Sequence, residues 1–117
     1  MMPPKDARDL WIEGIELFNA GRFFDCHEVW EEVWKQASGA EKLFHQGMIQ
    51  AAVAILHAER GNLPGARSTW NKARAKLDSL PAEHMGIALG ELRVAVDAFV
   101  TSVLAGDALA PPKIRCL

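Results

Sequence analysis

The stretch AEKLFHQGMIQAAVAILHAERG, Ala40 to Gly61, decides how the remaining chain folds. At about 100° per residue, Phe44, Met48 and Ile55 fall in one sector and Ile49, Ala52 and Leu56 in a second, about a quarter-turn round. Gly47, Ala51, Ala54 and Ala58 form a stripe of small residues. A helix that is apolar nearly all round is surrounded by other elements, and the small stripe lets a neighbour come close. One narrow strip breaks the pattern: Gln46, Gln50, Val53 and His57. Its three polar side chains lie within roughly 40° of one another on the wheel. In a central helix they must be paired inside the protein or line a cavity. They are therefore the first candidates for function.

The segments on either side carry the same helical period. A first helix is expected from about Asp6 to Ala20, capped by Asp6, with Ala7, Leu10, Trp11, Gly14, Ile15, Leu17 and Phe18 facing inward and Gly21 ending it. A second runs from about Arg22 to Ala37, with Phe23, Cys26, Trp30, Val33, Trp34 and Ala37 as its core stripe and Asp25, Glu28, Glu31 and Glu32 making it acidic. Asn62 is placed to cap a fourth helix that has Pro64 in its first turn. That helix reaches about Ser79, turns Ala66, Trp70, Ala73, Leu77 and Leu80 inward, and carries Arg67, Lys72, Arg74 and Lys76 outside. After Pro81 a fifth helix is expected from Ala82 or Glu83 to Leu104, with a seam of Met85, Leu89, Leu92, Val96, Phe99 and Val103 suited to bundle packing. Residues 105–117 read as an extended tail around Pro111-Pro112, able to dock on the domain, dock on a neighbour, or fray.

A weak repeat links the halves. Gly21, Phe23, Cys26, Trp30 and Val33 recur 40 residues later as Gly61, Leu63, Ala66, Trp70 and Ala73. Each set is the turn and second helix of a hairpin, and the pattern resembles tetratricopeptide-type hairpins. The expected fold is all-α: one domain spanning residues 1–117, with a five-helix bundle over 6–104 built as two antiparallel hairpins closed by the C-terminal helix.

Bulk composition narrows the function classes. Of 117 residues, 50% are hydrophobic and 24% charged, and the net charge is −2, so no global field points to nucleic acid or membrane. No apolar run is long enough to span a bilayer. Two cysteines, Cys26 and Cys116, make no disulfide framework and suggest a reducing cytoplasm. The N-terminal residues lead straight into charged ones, so no signal peptide is expected.

Three groups of residues can carry chemistry. His27, Glu28 and Glu31 on the second helix, facing Gln46, Gln50 and His57 on the third, form a possible His/Glu/Gln cluster. Its plain reading is a buried hydrogen-bonded network that fixes helix register. Its functional reading is a ligand pocket or an acid–base site, since a nitrogen and a carboxylate one helical turn apart is also a metal-ligand spacing. The run His27-Glu28-x-x-Glu31 resembles the zincin helix with its second His replaced by Glu, which argues against zinc-protease chemistry. No metal centre and no cofactor is assigned. The basic face of the fourth helix with Arg60 reads as solvated surface, or as the counterpart of the acidic second helix across a dimer contact; a nucleic-acid module ranks third, since it would want more positive charge and aromatics interleaved on the exposed face. The tryptophans Trp11, Trp30, Trp34 and Trp70 read as core, with the polar residues of helices two and three expected to supply a partner for the Trp34 indole. Cys26 reads as inert packing.

Three blocks together carry a family resemblance. They are Phe18-Asn19-x-Gly21-x-Phe23-Phe24-x-x-His27-Glu28-x-x-Glu31-x-x-Trp34, Phe44-x-Gln46-Gly47-x-Ile49-Gln50-x-Ala52, and His57-x-x-Arg60-Gly61-Asn62-x-x-Gly65-Ala66. The run from Leu17 to Leu77 resembles the domain-of-unknown-function 309 family, small all-helical proteins of bacteria and archaea. The resemblance implies a compact helical bundle and signature positions at His27, Glu28, Trp34, Gln46, Gly47, Gln50, His57, Arg60, Gly61 and Asn62. It implies no activity. The expected function is therefore a non-catalytic helical protein acting through a homodimer or a protein partner, without nucleic acid or membrane. The alternative is a small metal-binding or hydrolase-like enzyme using His27, Glu28, Glu31 and His57, with Trp34, Gln46, Gln50, Arg60 and Asn62 as pocket residues.

Overall fold

The computed structural model describes residues 5–117. Five helices follow in order: α1 (Ala7–Asn19), α2 (Phe23–Gln36), α3 (Gly39–Glu59), α4 (Leu63–Leu77) and α5 (Leu89–Leu104). Among the described residues β-structure is confined to two isolated bridges, His84–Ile87 and Ile87–Cys116. The helix α3 takes the central place, packing against α2, α4 and α5, while α1 packs on α2. Its small stripe is the reason. Gly47, Ala51, Ala54 and Ala58 are all buried, and a Cβ added at Gly47 would stand 2.8 Å from Leu77 Cδ2.

The two hairpins repeat each other in hydrogen bonds as well as in residue pattern. The α1–α2 turn closes with Arg22 N–H donating to Leu17 C=O (2.9 Å) and Gly21 N–H to Phe18 C=O (3.0 Å). The α3–α4 turn closes with Asn62 N–H to His57 C=O (2.9 Å) and Gly61 N–H to Ala58 C=O (3.2 Å). Both are Schellman motifs, which need a left-handed residue at C′; Gly21 and Gly61 supply it at φ 77° and 76°. After each turn, Cys26/Ala66, Trp30/Trp70 and Val33/Ala73 enter the core. As expected, Asp6 caps α1 by accepting from Asp9 N–H, and Asn62 caps α4 by accepting from Gly65 N–H.

Aromatic packing ties α1 to α2. A Cβ at Gly14 would lie 1.9 Å from Trp30 Nε1, so glycine is what admits the indole. Trp30 is fully buried, stacks on Trp11 at 5.1 Å, and donates its N–H to the Trp11 carbonyl (3.2 Å). Burying side chains of this size stabilises by about 1.5–3 kcal/mol each.

The fifth helix begins later than the sequence suggests. Residues 81–88 are not helical. Met85 and Gly86 both have positive φ, 52° and 76°, and His84 and Ile87 exchange backbone hydrogen bonds (3.1 Å each) around them. Such a turn needs two left-handed residues in succession, which a helix cannot contain. Met85 therefore leaves the expected seam, while Leu89, Leu92, Val96 and Phe99 are buried as the heptad spacing predicts.

The tail docks on its own chain. Ile87 pairs with Cys116, Ala88 N–H donates to Arg115 C=O (2.9 Å), and Leu117 N–H donates to Gly86 C=O (2.9 Å). Asn19 grips the buried Ile114 through both halves of its amide: Nδ2 donates to the Ile114 carbonyl (2.9 Å), and Oδ1 accepts from the Ile114 N–H (2.7 Å). No helix among the described residues is long and apolar enough to cross a membrane.

Candidate functional site

The expected cluster comes apart into local pairs. On α2, His27 Nε2 lies 3.0 Å from Glu31 Oε1, and His27 Nδ1 lies 3.2 Å from the Phe24 carbonyl. Glu28 is exposed, and the Phe24 ring, 47% exposed, sits 5.6 Å from the imidazole. On α3, Gln50 Oε1 accepts from Lys76 Nζ of α4 (2.8 Å). At the end of α3, the His57 ring accepts through Nδ1 from Asn62 Nδ2 (3.1 Å), whose other amide atom caps α4. Gln46 is half-buried and Arg60 is exposed. No hydrogen bond among the described residues joins the α2 pair to the α3 strip.

Two expectations need correction here. The polar strip is not sealed in the core, because α3 is enclosed on only part of its circumference. Gln46, Gln50, Val53 and His57 are each half-buried. The apolar all-round reading missed this because Ile49, Val53 and Leu56 are themselves only half-covered. Nor does any polar group serve the Trp34 indole. Its Nε1 is buried without a hydrogen-bond partner, and its ring is covered instead by Lys42 Nζ at 4.3 Å. The other three indoles do find acceptors: the carbonyls of Met85 and Trp11, and the Asp97 carboxylate.

The metal reading has two donor atoms to work with, His27 Nε2 and Glu31 Oε1. Among the described residues no group of three or more His, Cys, Asp or Glu is placed to hold an ion. Cys26 is fully buried, and burial pushes its thiol well above the usual range. That keeps it protonated and a poor nucleophile.

One residue that sequence reasoning passed over stands out. His45 is 3% exposed, the one buried polar or charged side chain among the described residues, and its Nδ1 has no hydrogen-bond partner. It packs edge-on to Trp11 (5.2 Å) and Phe44 (5.1 Å). Burial lowers its pKa from 6.5, with His84 adding to the lowering and Glu41 opposing it. It lines a cleft of about 220 Å³ with Trp11, Val33, Glu41 and Met85. The available signal was its place on the wheel, four, seven and eleven residues before Ile49, Ala52 and Leu56 and so inside the apolar sector they form.

On α4, Arg67 and Lys72 are exposed, whereas Arg74 pairs with Asp97 (3.3 Å) and Lys76 with Gln50. On α2, Glu28 and Glu32 are both exposed, and Glu32 pairs with Lys35 of its own helix (3.0 Å).

A family model described as a domain of unknown function (DUF309) matches residues 11–69. An uncharacterised protein from Aquifex aeolicus (strain VF5) is 29% identical over 108 residues, covering 92% of this chain and 32% of that protein. The uncharacterised protein YpuF of Bacillus subtilis (strain 168) is 36% identical over 88 residues, covering 74% of this chain and 47% of YpuF. The chain thus spans about a third and about half of the length of these relatives.

Proposed function

Because the chain belongs to the DUF309 family, whose description assigns no activity, its function is read from its surface, and we propose a non-catalytic interaction module that self-associates through α2 and α4. The carrying observation is charge complementarity within one chain. The α2 helix exposes Glu28 and Glu32 beside the exposed Phe24 ring, and α4 exposes Arg67 and Lys72. In a two-fold dimer each such face meets its opposite on the other copy, so one complementary pair yields two contacts. Phe24 supplies an aromatic anchor between them.

The dispersal of the polar residues supports the non-catalytic part. His27–Glu31, Gln50–Lys76 and His57–Asn62 serve a helix face, a helix–helix bridge and a cap. A site that pools several groups in general acid–base catalysis needs them within reach of one reacting group, and these three pairs share no hydrogen bond among the described residues. The repeated hairpin, with its tetratricopeptide-like residue pattern, adds a scaffold suited to display rather than chemistry. Two free cysteines fit a reducing, cytoplasmic setting. Arg74 and Lys76, neutralised or bridged within the chain, leave α4 short of the unbroken basic stripe that nucleic acid would want.

Light scattering on the eluting protein tests the reading. The expected result is a dimer at low ionic strength that dissociates with added salt and on substitution Phe24→Ser. A monomer at every concentration and salt level would sink it.

A further inference from the structure

The first turn of α1, the last turn of α2, the first turns of α3 and the Met85 turn enclose the cleft of about 220 Å³. Its wall is mainly apolar and aromatic: Trp11, Val33 and Met85, with the His45 ring among them. Glu41 and Gln36, both exposed, stand at its mouth. Two independent features single it out from the other hollows on the surface. It contains a side chain that is nearly all buried and yet has an unpartnered nitrogen, His45 Nδ1. Its lip is Met85, a non-glycine residue at φ 52°. A left-handed residue of this kind costs about 1–2 kcal/mol, and beyond the His84–Ile87 pair two contacts from elsewhere in the chain hold it: Trp11 Nε1 donates to the Met85 carbonyl (3.3 Å), and the tail's Leu117 N–H binds the Gly86 carbonyl.

Size and lining define the occupant. An apolar cavity of about 150 Å³ holds benzene, so this cleft has room for one ring with a substituent, or for two fused rings. Trp11 and the His45 ring stand in its wall, where a planar π-system can pack against them. We propose that the cleft binds a small planar aromatic molecule bearing one hydrogen-bonding group, of the phenol or indole type, and that this group supplies the partner His45 lacks. Neighbours seal Nδ1, so binding turns the imidazole about its Cβ–Cγ bond, which is a broad two-fold torsion. The thioether of Met85 adapts its shape to the ring that enters. This site lies apart from the α2 and α4 surfaces assigned to self-association and does not depend on them.

Titration of the whole chain with phenol and with indole, followed by NMR of the Trp11 indole N–H and the His45 ring nitrogens, tests the assignment. Saturable shifts of both signals are expected. Ala37 also lines the cleft, so Ala37→Phe fills it and should abolish them. Met85→Gly, which relieves the positive φ and so keeps the fold, removes one aliphatic wall and should weaken binding about tenfold. The absence of saturable shifts with both probes would overturn the proposal. So would shifts that survive Ala37→Phe in a variant shown by its melting curve to be folded.

Discussion

Replacing His45 by Phe should stabilise this protein, an unusual outcome for a nearly fully buried position. The imidazole is 3% exposed and its Nδ1 has no partner. A buried polar group left unsatisfied costs about 1–3 kcal/mol. A phenyl ring keeps the edge-on contacts with Trp11 and Phe44 (5.2 and 5.1 Å) and removes that cost. Its slightly larger volume takes some of the gain back, leaving a net stabilisation of about 1 kcal/mol at neutral pH. The sign of the pH dependence follows from the direction of the shift. Burial lowers the folded-state pKa of His45 below 6.5, so the unfolded chain binds the proton more readily. The contribution is fully present above pH 6.5 and is lost as pH falls through 6.5 towards the lower folded value. Between the two values stability rises with pH, with a slope below the one-proton limit of about 1.4 kcal/mol per pH unit. In His45→Phe that component disappears, so the advantage of the variant widens in acid. Urea denaturation of both proteins on either side of pH 6.5 measures this. A loss of more than about 1 kcal/mol at neutral pH, or an acid slope equal to that of wild type, would refute the reasoning.

Three further outcomes are expected. Gly14→Ala puts a methyl 1.9 Å from the Trp30 indole, which is rigid and fully buried, so denaturant unfolding should show a loss of about 1–3 kcal/mol or more. His57→Ala and Glu31→Gln act on half-exposed local pairs and should each cost about 1 kcal/mol or less by thermal melting, where membership of a buried network would cost several. Asn19→Ala removes both hydrogen bonds to Ile114 and should release the tail, seen as faster amide exchange at Ile114 and Leu117 with little change in α3.

What could be read in advance followed from local chemistry. Asp6, Gly21, Gly61, Asn62 and Pro64 each act through a few neighbouring bonds, and each sits at the helix end its type predicts. The 40-residue repeat held down to hydrogen bonds because both turns satisfy the same carbonyl and amide groups. The start of α5 was hidden, since a left-handed methionine at position 85 is stabilised by Trp11 and by the tail, 74 residues before it and at the far end of the chain. The docking of Ile114 likewise depends on Asn19, which no periodicity reveals. The placement of the polar strip failed for a geometric reason. A wheel shows which residues share a side of α3, but not how far its neighbours reach round it. His45 shares the sector of Ile49, Ala52 and Leu56, but a wheel does not show that Ile49 and Leu56 stay half-covered while Trp11 of α1 and the Met85 turn close over His45.

The claim that α2 and α4 meet across a dimer is tested most directly by mixing two charge-reversed variants. Glu28→Arg/Glu32→Arg makes both faces basic, and Arg67→Glu/Lys72→Glu makes both acidic. Light scattering should give each variant alone the 12.9 kDa mass of one chain, and the mixture twice that mass, because each face of one variant again meets its opposite on the other. A mixture that stays at the mass of one chain, or variants that remain dimeric alone, would contradict the account.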